Sequence, residues 1–149
     1  MGDALRIDTD GAVVTLSWGG EASDRQDAVR TAVGGASDRA VYHRRVDFWV
    51  HGNGAGDRLP MNLSAWVLAS LWRGELPYGL YGPVVVTGPQ GAELSEDMAQ
   101  QVLAVCAAVV EVRQEWVRRP PAGESQARAE LMAAAKCALL SPPPTTAQV

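Results

Sequence analysis

Lysine is almost missing from this chain: Lys136 stands alone, and every other basic residue apart from the two histidines is arginine. With two histidines and two cysteines there is no CxxC and no Cys/His pair at ligand spacing, so the sequence offers no zinc motif. Cys106 and Cys137 lie far apart in helix-like stretches and read as small buried hydrophobes of a reducing compartment. No apolar run approaches the ~18 uninterrupted residues that a membrane span needs. MGDALRIDTDG has neither the basic segment nor the apolar run of a secretion signal, so a cytoplasmic protein is expected. Excess positive charge is lacking too. The net charge is −4, and Arg44-Arg45 and Arg118-Arg119 are the only adjacent basic pairs, so no nucleic-acid partner is expected.

What is present points to a folded domain. At 47% hydrophobic and 20% charged, the 149 residues fall in the range of chains that bury a core rather than stay disordered. ALRID and AVVTLSW read as two strands joined at Asp10-Gly11, with Val14, Leu16 and Trp18 on the face assigned to the interior. Ser23 with Gln26 opens a short helix that Gly34-Gly35 closes. Tyr, Phe, Trp and Val dominate the next region as strand. Over 46–51 they place Val46, Phe48 and Val50 on one side and Asp47, Trp49 and His51 on the other. Between DRAVYHR and RVDFWVH the pattern permits a hairpin or a bulge.

A helix follows, begun by Asn62 or Ser64 and stopped at Gly74, and Val84–Val86 between glycine-proline pairs reads as a central strand. Ser95, Glu96 and Asp97 start the longest helix, which runs to Arg118-Arg119 and a Pro-Pro stop. Met98, Val102, Val105, Val109, Val112 and Trp116 form one apolar stripe, and Leu103, Cys106, Val110 and Val117 a second. The expectation is an α+β fold: a small, mostly antiparallel sheet covered by helices, with the long helix at 95–118. Residues 1–119 form that domain, 120–140 an appended helix after the Pro-Pro hinge, and 141–149 a disordered tail.

Three patterns carry candidate chemistry. GNGAGDR lacks the spacing of a phosphate-binding glycine loop and reads as a turn with positive φ values, although Asn53, Gly54, Asp57 and Arg58 are placed to touch a partner or a small nucleotide. His43, Asp47 and His51 use metal-ligand types four apart, but in a strand that spacing spans ~13 Å. A metal-dependent hydrolase is therefore the weakest alternative, and no metal, cofactor or catalytic residue is assigned. Five tryptophans against one phenylalanine form the third pattern. Trp49, Trp66 and Trp72, together with the broad apolar arc of the long helix, are assigned to a partner-binding or self-association surface, which makes a homo-oligomer an expectation as well.

In order along the chain, a DG turn, a helix ending in VGG, VDFWV, a glycine-bearing turn, LPMN with Ala65, YGPVVVTG and an LSED helix start are similar to small domain-of-unknown-function proteins of bacteriophages, plasmids and actinobacterial mobile elements. The resemblance covers residues 4–105. The preference for arginine with abundant Ala, Gly and Val also suits a GC-rich bacterial genome. The resemblance implies a non-enzymatic accessory protein that binds a protein partner, a host defence component among the candidates. Pro60, Asn62, Gly82 and Gly88 match the family pattern, and GNGAGD is longer and richer in glycine than its usual turn.

Overall fold

The computed structural model describes residues 4–17, 22–54 and 56–140. Trp18, the Ser23 side chain and the tail 141–149 lie outside that description, and with Ser23 the expected cap of its helix. Five strands, β1 (Ala4–Ile7), β2 (Val13–Leu16), β3 (Ser37–Tyr42), β4 (Asp47–His51) and β5 (Val84–Thr87), form one antiparallel sheet in the order β2-β1-β5-β4-β3. Among the described residues four α-helices, α1 (Ala22–Val33), α2 (Leu63–Arg73), α3 (Glu96–Arg118) and α4 (Glu124–Leu140), join the sheet in an α+β architecture.

Two hairpins flank the last strand to be synthesised. Asp10 accepts from the Ala12 N–H at 2.9 Å, and Gly11 at φ 95 turns β1 into β2. His43 and Val46 exchange backbone hydrogen bonds at 3.1 and 3.3 Å across Arg44-Arg45, closing β3 onto β4. The register also shifts between Arg39 and Val41, so this segment holds both a hairpin and a bulge. β5 then enters between β1 and β4, and all four of its side chains are buried. A strand covered on both faces needs the continuous apolar run that Val84–Val86 supplies.

The sheet is covered on both faces. Leu5, Ile7, Phe48, Val84 and Val86 point into the main core with α2, α3 and α4, while Ala4 and Val85 meet Val29 and Val33 of α1. Strand alternation sends adjacent residues to opposite faces, which is why β2 splits: Val13 packs against the main core and Leu16 against the α1 side. Val14 and Leu16 are only half-buried, so β2 has no single interior face.

The helix ends follow their sequence signals. Asn62 caps α2, its side chain accepting from the Ala65 N–H at 3.0 Å, and Gly74 at φ 91 ends that helix. The Ser95 hydroxyl accepts from the Met98 N–H at 3.2 Å at the start of α3. Gly34 at φ 86 closes α1, which begins at Ala22, one residue ahead of Ser23. The first stripe of α3 is buried from Met98 to Val109. Of the second stripe Cys106 is buried, whereas Leu103 and Val117 are exposed. The helix after Pro120-Pro121 is not a pendant. α4 sends Leu131 and Ala135 into the main core, and Glu130 accepts from the Trp116 indole of α3 at 3.0 Å.

Candidate binding sites

Of the tryptophans assigned to an outer surface, Trp66 is buried and Trp49 and Trp72 are half-buried. Trp66 is 5% exposed, and its indole N–H donates to the Leu76 carbonyl at 3.3 Å. Trp72 lies edge-on to Phe48 with 5.9 Å between ring centroids, and donates to Gln101 at 2.8 Å. Trp49 packs against the α1-side core and donates to the Thr87 hydroxyl at 2.9 Å. A buried indole costs little once its one N–H finds an acceptor, and each ring finds one between two elements. Trp66 and Trp72 are therefore packing residues first. Trp49 remains half-buried beside open space.

The glycine turn is a turn, for a reason other than positive φ. Among its described residues only Arg58, at φ 60, adopts the left-handed region; Gly52, Gly54 and Gly56 do not. What distinguishes these glycines is close approach. A Cβ on Gly54 would stand 3.0 Å from the Tyr81 carbonyl oxygen, and one on Gly56 would strike the Asn53 side chain. The turn also consumes its own polar groups. Asn53 donates through Nδ2 to Asp57 at 3.1 Å and through its backbone N–H to His51 Nδ1 at 3.0 Å, and His51 Nε2 lies 3.6 Å from Asp57. Arg58 is exposed, and neither it nor Gly54 lines the groove beside Trp49 described below.

His43, Asp47 and His51 are held by separate partners. The His43 ring stands 5.9 Å from that of Trp72, and its pKa is lowered by burial first and then by Arg44, Arg45 and Arg73. Asp47 is buried, paired with Arg39 at 3.1 Å and accepting from the Gln90 N–H at 2.7 Å. His51 belongs to the glycine turn. Among the described residues no three His, Cys, Asp or Glu side chains converge as metal ligands. Burial pushes the Cys106 thiol up to about 12, so it stays protonated and inert.

Among the described residues, two of the concave surfaces are lined by tryptophan. A cleft of about 490 Å³ opens between the loop after α2 and the start of α4, walled by Leu63, Trp66, Pro77, Tyr81, Trp116 and Leu131. Met61 and Tyr78 stand at its mouth, 42% and 46% exposed, and Glu75, Glu124 and Arg128 supply charge at its rim. A groove of about 350 Å³ lies on the other face of the sheet, between α1, the end of β4 and the turn after β5. It is lined by Arg25, Val29, Arg30, Ser37, Trp49 and Gln90 with their neighbours.

Of the residues assigned from sequence, Trp49 reaches the groove and Trp66 a wall of the cleft. Met61, Tyr78, Arg25 and Arg30 were missed, because alone each has the ordinary look of a surface residue. LPMN and LPYG were the available signal: each places a large apolar or aromatic side chain directly after Leu-Pro, and the backbone bridge Met61–Tyr81 joins the two segments. Compared with known proteins, the chain matches no family model, no curated protein and no solved structure.

Proposed function

We propose that this chain is a binding protein without chemistry of its own, which takes up an apolar segment of a partner protein in the Met61–Tyr78 cleft. The supporting observation is the exposure of these two large side chains at the mouth of an aromatic-walled cleft. Water-exposed Met and Tyr around a concavity supply the apolar area and adaptable packing that protein interfaces use, and charged groups at the rim orient the partner. The setting implied by the motif resemblance, a phage or mobile element, makes the partner a host protein, with a defence component as one candidate. Self-association through the same cleft is the competing occupant.

A photo-reactive amino acid in place of Met61 tests the reading, with the same group at exposed Glu111 of α3 as control. Capture of one host protein from Met61 and not from Glu111, lost on Tyr78→Ala, is the expected result. Cross-linking only between copies, with a dimer in light scattering, would replace the host partner by a second copy. A monomer that captures nothing from Met61 would reject the proposal.

A further inference from the structure

A second site lies on the opposite face of the sheet from the cleft and shares no residue with it. Its wall is α1, whose Val29 seals the helix to the sheet beside Trp49. Arg25 and Arg30 flank Val29 and line the same groove, whereas among the described residues no Asp or Glu lines it. Arg30 has only Asp27 at 3.6 Å, both side chains being largely exposed. Arg25 is half-buried and makes no hydrogen bond or ion pair with any described residue. The buried acid among the described residues, Asp47, is already committed to Arg39 and to the Gln90 N–H. A partly desolvated guanidinium facing a groove without acids is a seat for an anion, and its planar fork favours carboxylate or phosphate oxygens.

The opposite wall narrows the choice. Trp49 is half-buried, and its indole N–H is fixed on Thr87 Oγ1, which itself donates to the Gly88 carbonyl at 2.7 Å. The ring is thus a positioned platform beside the two cations. Gln26, Ser37 and Gln90 add amide and hydroxyl groups around it. Gln90 is held in the left-handed region at φ 58, ψ 32 by the bond from its N–H to Asp47. At about 350 Å³ the groove lies at the small end of the range for small-molecule sites, ~300–1,000 Å³. We propose that it binds a nucleoside monophosphate, with the base on Trp49, the phosphate on Arg25 and Arg30, and the amides reading the base edge.

Calorimetry and thermal unfolding of the full chain with AMP, GMP, adenosine and inorganic phosphate test this. AMP or GMP should bind and raise the melting temperature, with adenosine and phosphate each at least ~10-fold weaker. Added NaCl should weaken the nucleotide, because the contact is ionic and partly exposed. Arg25→Ala should lower affinity by ~10-fold while leaving the melting temperature of the free protein unchanged, since this guanidinium has no partner to lose among the described residues. No binding by either nucleotide, or equal affinity in Arg25→Ala, would overturn the site. Phosphate binding as tightly as AMP would remove the ring from the proposal. Tighter binding of a single-stranded oligonucleotide would replace the mononucleotide by a polymer.

Discussion

Asn62 shows how much a single side chain decides. It is fully buried; its Nδ2 donates to the Ile7 carbonyl at 2.8 Å and the Gly82 carbonyl at 3.0 Å, while its Oδ1 caps α2. One amide thus ties β1, the entry to β5 and the start of a helix. Asn62→Ala removes the cap and orphans two acceptors, so urea unfolding should show a loss of about 2–4 kcal/mol. Asn62→Asp keeps the cap but points a carboxylate at two carbonyls. Its folded-state pKa should be raised, so this variant should gain stability as the pH falls and lose it as the pH rises through that value. Cys106 gives a second test at this scale. With its thiol pushed up to about 12 and its side chain buried, iodoacetamide at mildly alkaline pH should label the exposed Cys137 alone until denaturant is added. The cap at Asn62 was legible in the sequence, because a side-chain oxygen before an apolar helical run has a local use. Its two bonds to distant carbonyls were not, because the chain separation between those groups says nothing of their distance.

At the scale of elements, α4 is the informative case. Its Ala-rich sequence after a Pro-Pro stop has the look of an appendage, yet Leu131 is 2% exposed within the main core. Leu131→Ala should therefore cost about 2–5 kcal/mol in urea unfolding, as for a core leucine, whereas a pendant helix would make it nearly neutral. Trp116, Glu130 and Arg119 clamp the same helix pair. Glu130 has its pKa lowered by its hydrogen bonds from Trp116 and Gln126, and Arg119 lies 3.4 Å away. Helix caps, the Gly11 and Gly34 turns and the buried valine strand were readable because each depends on neighbours within a few residues. The fate of the tryptophans was not readable. An indole at helical or strand spacing packs equally well into a core or a partner, and only the elements brought opposite it, such as the Leu76 carbonyl or Gln101, decide which. The same holds for the glycine turn, where Tyr81 and Asn53, rather than backbone sign, crowd the positions that glycine occupies.

At the scale of the whole molecule, the strand order places β5 between two hairpins completed some 30 residues or more before it. Among the described residues neither hairpin pairs with any strand but β5, and isolated two-stranded units are marginal in water. A fragment ending at Gly82 should therefore lack a cooperative thermal transition by circular dichroism. The full chain should unfold in one transition, with near- and far-ultraviolet signals coinciding, because strands and three helices share one core. The sequence by itself determined the local decisions: where helices begin and stop, which runs are strands, and that the class is α+β, since caps, turns and periodicity act over a few residues. Only the tertiary structure decided that both faces of the sheet are covered, that α4 belongs to the core, and which side chains border the cleft and the groove. Those outcomes rest on which distant segments meet, and burial and pairing between segments far apart in the chain leave no mark in the spacing of either one.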